Sequence, residues 1–202
     1  MTALQELLSI STPPLGPKTH ADSIKDDDLK SLLATHNGFF SLENALWVFS
    51  DESLVNIPGH NHPEIQNWSR KYPKTGGVSH AFAVDAIGYP FFTSNQGILR
   101  MDLETGKFVR VAMDLEGWAA RILKEYSRLT AWRLCHDWQD VHGPLPDGHR
   151  LFPKMPFVGG GEETVENMAA APLVELISFY QELAQQIRDM PEGGEIEIRM
   201  VD

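Results

Sequence analysis

Hydrophobic and polar positions recur along this chain with two periods, and the places where the period changes mark its elements. Across residues 23–38, SIKDDDLKSLLATHNG sets Leu29, Leu32 and Leu33 at i, i+3 and i+4, the stripe of a helix with one buried face. Asp26, Asp27 and Asp28 suit the positive end of its dipole, and Asn37-Gly38 supplies a left-handed stop. A short amphipathic start and a Pro-rich stretch over residues 12–18 precede it. FFSLENALWVFS follows, with Phe39, Phe40, Leu46, Trp47 and Phe49 too apolar for a loop, and reads as core.

From residue 80 to residue 112, HAFAVDAIGYPFFTSNQGILRMDLETGKFVRVA changes to short runs divided by turn chemistry. Phe82 and Val84 mark one run, Tyr89, Phe91 and Phe92 a second, Ile98 to Met101 a third, and Phe108 to Val111 a fourth. Ser94-Asn95-Gln96-Gly97 and Glu104-Thr105-Gly106 are turn sequences, so the four runs predict an antiparallel meander. Parallel neighbours would need crossovers of about a dozen residues, which do not fit between them. Pro90 cannot donate to a ladder, so its strand lies at an edge or begins there.

Helical spacing returns after the meander. Asp114 is the predicted N-cap of a helix carrying Trp118, Ile122, Tyr126 and Leu129 on one face, and a second short helix carries Trp132, Cys135 and Trp138. VHGPLPDGHRLFPKMPFVGGGEE, rich in Pro and Gly, reads as a long loop. A further helix over residues 171–190 has the stripe Leu173, Leu176, Ile177, Tyr180, Ala184 and Ile187, and EIEIRMV alternates as a final strand. The predicted class is α+β, an antiparallel meander sheet flanked by helices.

Composition narrows the functional classes. With 202 residues, 42% of them hydrophobic, one sizeable core and a single domain over residues 1–202 are expected. The start of the chain lacks a signal-peptide pattern and no window approaches a membrane span, so a soluble cytoplasmic protein is expected. Cys135, the single cysteine, excludes an internal disulfide and a zinc ribbon, and fits a reducing compartment. The formal charge of −11 is concentrated toward the end, where residues 161–202 hold ten acids against two arginines, a balance of −8. Such a field repels phosphate backbones and anionic lipid and speeds encounter with a basic partner. It is equally the mark of a solvated surface.

No constellation in the sequence makes a strong case for catalysis. His60, His62 and Glu64 in GHNHPE would bind a metal only with further ligands, and a surface turn is the simpler reading. His136, His142 and His149 match no ligand spacing. FVGGGEE has the glycines of a phosphate loop without its GK[ST] ending. Cys135, between tryptophans on an apolar face, reads as a packed thiol. Asp85 has His80 five residues away, on the opposite face of an alternating strand, and is read as a cap for the turn that follows it.

LLATHNGFF, FAVDAIGYPFF, GILRMDLETGKFVRVA and DLEGWAARIL, in that order, resemble the SUKH superfamily, the Smi/Knr-like group. Its members commonly carry an acid shortly before Phe-Gly, an Asp/Glu-Thr-Gly hairpin, and a helix opening with Trp. Asp85, Gly88, Glu104, Thr105, Gly106 and Trp118 occupy those places, while Ile87 stands where Phe is usual and Pro90 where a polar residue is usual. The resemblance covers residues 29–123 best, leaving residues 124–202 as a C-terminal extension with a helix and a final strand. It implies a non-enzymatic immunity protein of a bacterial polymorphic toxin system, one that binds and blocks a cognate toxin, without cofactor or metal. Combined with the charge, it points to a basic, nuclease-like toxin met by Glu162, Glu163, Glu166, Glu175, Glu182, Glu192, Glu195 and Glu197. A regulatory or scaffold adaptor of the same fold, and a hydrolase built on Asp85 with His60, His62 or His80, are the alternatives.

Overall fold

The computed structural model describes residues 1–18, 24, 26–51 and 78–189. Helix α1 (Ala3–Ser9) begins with a capping box between Thr2 and Gln5. Helix α2 (Asp27–Thr35) is capped by Asp26, which accepts from the Leu29 N–H, and buries Leu29, Leu32 and Leu33. The glycine predicted to stop it sits at φ +72°, and a Cβ there would lie 2.5 Å from the Ser50 nitrogen. Only glycine lets the two backbones pass so closely.

The apolar stretch after α2 folds into two short strands, β1 (Phe39–Ser41) and β2 (Leu46–Val48). The meander continues them as β3 (Val78–Asp85), β4 (Pro90–Ser94), β5 (Gly97–Met101) and β6 (Phe108–Ala112). Each strand pairs antiparallel with the next, in the order β1-β2-β3-β4-β5-β6. Pro90 opens β4, as its missing N–H requires. At the β1 edge, Ser11 bridges to Ser41 and the Thr12 N–H donates to the Phe40 carbonyl at 2.8 Å.

Helix α3 (Leu115–Thr130) is capped by Asp114 through the Gly117 N–H at 2.7 Å. Its Glu116 carboxylate accepts from the Ala3 and Leu4 N–H groups, tying α1 to α3. The sequence stripe places Tyr126 on the buried face, but Glu125 takes φ −126°, which breaks the helical period just before it. Tyr126 is 38% exposed and meets Trp132 edge-on at 5.2 Å. Ala131, at φ 53°, turns the chain into α4 (Trp132–His142).

The expected long loop is partly ordered as strand. β7 (His149–Pro153) pairs antiparallel with β8 (Met168–Pro172) in a separate two-stranded sheet. The helix predicted from residue 171 therefore starts two residues later, as α5 (Leu173–Asp189). The predicted final strand lies outside the described residues.

Adjacent strand residues point to opposite faces, and Phe91 and Phe92 feed two different cores. Phe91 joins Phe82, Ile98, Trp118, Ile122 and the buried leucines of α1 and α2. Phe92 joins Tyr89, Met101, Cys135, Trp138, Leu151, Leu176 and Tyr180. Trp118, fully buried, meets Phe82 and Phe91 edge-on at 5.0 and 5.8 Å. The sheet is thus covered on one face by α1–α3 and on the other by α4 and the small hairpin, while α5 reaches both cores, with Leu173 and Ile177 in the first and Leu176 and Tyr180 in the second.

Candidate functional site

Asp85 ends β3 at the joint between these two cores. Its carboxylate is buried, and Oδ1 accepts from the Ile87 N–H at 3.1 Å and the Tyr89 N–H at 2.8 Å. This is the turn-capping role read from the sequence. The sequence reading did not include Arg100, whose Nε and Nη2 both donate to Oδ2, at 3.2 and 2.5 Å. Arg100 also lies 4.9 Å from the centre of the Tyr89 ring.

Burial pushes the Asp85 carboxyl above the ordinary aspartate range, while Arg100 and the two amides pull it back. All four bonds come from donors, the set an ionised carboxylate requires. Burial also works against the Arg100 charge, yet the facing carboxylate outweighs it and holds the guanidinium more firmly protonated than usual.

The turn held by Asp85 docks onto its surroundings through its own backbone. The Ala86 N–H donates to the Thr130 carbonyl, and the Ala86 carbonyl accepts from the Leu151 N–H at 2.7 Å. Gly88 sits at φ +81°, and a Cβ there would lie 2.7 Å from a Leu176 methyl. Asp85, Gly88 and Arg100 therefore position three later elements, α3, β7 and α5, against the meander.

Glu104 lies in the β5–β6 turn, where the hairpin motif places it, but its side chain does not shape that turn. The acid shaping the β5–β6 hairpin is Asp102, whose Oδ1 accepts from the Glu104 and Thr105 N–H groups at 2.9 and 3.2 Å. Gly106, at φ 65°, closes that turn by donating to the Asp102 carbonyl at 2.8 Å. Glu104 instead reaches into the protein, where its two oxygens accept from the Phe157 and Val158 N–H groups at 2.9 and 2.7 Å. Burial raises its carboxyl pKa and the two amides oppose that rise. The FVGGG stretch does present backbone donors to an anion, and that anion is the chain's own Glu104.

Cys135 is fully buried, and burial pushes its thiol up to about 12. His136 Nδ1 lies 2.7 Å from Glu43 Oε2, His142 Nδ1 lies 3.0 Å from the Trp138 carbonyl, and His149 Nδ1 lies 3.0 Å from the Asp147 carbonyl. The three histidines thus have three separate local partners. No group of three metal-ligating side chains occurs among the described residues. His60, His62 and Glu64 lie outside those residues, as does the side chain of His80.

Of the predicted contact acids, Glu162, Glu163 and Glu166 lie in the segment between β7 and β8, and Glu175 and Glu182 on α5; all five are exposed. None forms a salt bridge among the described residues. Glu192, Glu195 and Glu197 lie outside them.

Arg150 gave no signal in the sequence. A single arginine in a Pro/Gly-rich segment reads as surface, yet this one is fully buried. The alternation of Leu151 with Arg150 and Phe152 in HRLFP was the available sign of a strand there.

No family model matches the sequence, and no curated protein matches it. Among solved structures the fold is similar to one described as Atu4351 from Agrobacterium tumefaciens, with a TM-score of 0.54 and 13% identity, over 87% of this chain and 86% of that one. At that identity the likeness concerns the fold alone. No helix among the described residues is long and apolar enough to cross a membrane.

Proposed function

We propose that this chain is a protein-binding domain of the SUKH immunity type, which neutralises a cognate toxin in the bacterial cytoplasm by covering it. The observation that carries the reading is the set of exposed acids Glu162, Glu163, Glu166, Glu175 and Glu182, which have no salt-bridge partner among the described residues. Unpaired surface carboxylates of one sign attract a basic partner over several ångströms and raise its association rate. The placement of the buried acids supports the same reading: Asp85 and Glu104 spend their oxygens on backbone amides and Arg100, which suits fixing a surface rather than transferring protons.

The test is a tagged pull-down from the native cell, followed by expression of the captured partner alone. A single stoichiometric partner that stops growth unless this chain is present is the expected result. Several non-toxic housekeeping partners would replace it with the adaptor reading.

A further inference from the structure

We propose that Arg150 and Trp47 form a binding site for a carboxylate that carries an apolar group. Arg150, on β7, has no solvent exposure. Its guanidinium faces the Trp47 ring at 5.0 Å and the Phe40 ring at 5.7 Å, and its Nη1 donates to the His149 carbonyl at 2.7 Å. The other edge, Nε with Nη2, is buried and has no acceptor among the described residues. The Trp47 Nε1–H is buried without an acceptor as well. Two side chains in contact thus present three unpartnered donors and one positive charge.

Stacking on aromatic rings partly compensates a buried guanidinium, but it leaves the in-plane N–H groups unsatisfied, and each such group carries a desolvation cost. Among the described residues no neighbour supplies the anion. Asp85 already gives one oxygen to two amides and the other to Arg100, Asp147 is exposed, and the Cys135 thiol is held neutral by burial. Burial correspondingly lowers the Arg150 pKa to about 10, so the group remains a cation at neutral pH.

The shape of the free edge identifies the ligand. Nε and Nη2 form the planar fork that matches the two oxygens of a carboxylate; Arg100 holds Asp85 with the same two nitrogens, there both on Oδ2. The aromatic walls suit an apolar substituent beside the carboxylate. Phe40 and Trp47, the two rings beside Arg150, are half-buried, and a ligand reaches the buried fork only when these side chains move aside. A free small acid and the C-terminal carboxylate of a protein ending in an apolar residue share this chemistry. The inference does not rest on the proposed function.

The experiment follows the side-chain Nε–H of Arg150 and the indole N–H of Trp47 by NMR in the intact chain, with Arg100 as internal reference. Phenylacetate is titrated against sodium chloride of equal ionic strength and against uncharged benzyl alcohol. Saturable shifts of both resonances with phenylacetate alone are expected, with at least a tenfold weaker response in Arg150→Lys, which keeps the charge and loses the fork. Should that variant fail to fold, Trp47→Phe keeps an aromatic wall and removes one donor, and a severalfold weakening is expected. Equal responses to phenylacetate and chloride, or none to either, would overturn the proposal. Tighter binding of the peptide Gly-Gly-Phe with a free C-terminus than of its amide and of phenylacetate assigns the site to a protein terminus; binding of phenylacetate without the peptide assigns it to a small acid.

Discussion

Asp85→Asn removes a negative charge from beneath Arg100 and leaves the guanidinium without its anion. A broken buried pair typically costs about 3–5 kcal/mol, and because Arg100 is 22% exposed the loss is expected near the lower end, about 3 kcal/mol. Urea denaturation should show this as a lower midpoint at unchanged slope; a loss below about 1 kcal/mol would contradict the assignment of Asp85 as the joint of the two cores. His136 gives a pH-dependent counterpart at the surface. The Glu43 hydrogen bond, with Asp140 and Asp137 nearby, raises its pKa above 6.5. A raised folded value means that the charged form favours folding, an effect fully present below the unfolded value and lost as pH rises through the folded one. An NMR titration should place His136 above 6.5 and return it toward that value in Glu43→Gln.

At the level of elements, two turns make opposite demands on one backbone region. Ala131 links α3 to α4 at φ 53°, where a Cβ is strained, so Ala131→Gly should stabilise by up to about 1 kcal/mol. Gly88 sits at φ +81° with Leu176 against it. Gly88→Ala meets both strain and overlap and should cost roughly 2–3 kcal/mol. Thermal denaturation of the two variants checks both signs, and equal shifts would contradict the account.

The meander was legible because its strands are contiguous and each turn carries Gly, Asn or Asp at the required place. Helix α3 was legible in its cap and its tryptophan. The β7–β8 hairpin was not, since Met168 to Pro172 reads MAAAP, with neither β-branched nor aromatic residues to mark a strand. Arg100, Arg150 and the inward reach of Glu104 were hidden for another reason. Their partners lie 15 to 54 positions away or are ring faces that local spacing does not specify. Of the proposed contact acids, the sequence supplied the charge, and the structure adds the exposure of Glu162, Glu163, Glu166, Glu175 and Glu182.

For the whole molecule, the sheet with its two covered faces presents a support, and the exposed acids of the β7–β8 connection and of α5 put charge of one sign on its surface. Reversing Glu162, Glu163 and Glu166 to Lys should slow association with a basic partner by about tenfold at low salt. The difference should shrink as ionic strength shortens the Debye length. Stopped-flow association at two salt concentrations checks this, and an unchanged low-salt rate would remove these acids from the contact surface. The central claim is that this chain neutralises its partner by stoichiometric binding. Its most direct test is a titration of the captured partner's toxic activity with increasing amounts of this chain. The account predicts a linear loss of activity that ends at one equivalent; activity that persists at a large excess, or that disappears at a small fraction of an equivalent as turnover would produce, would contradict it.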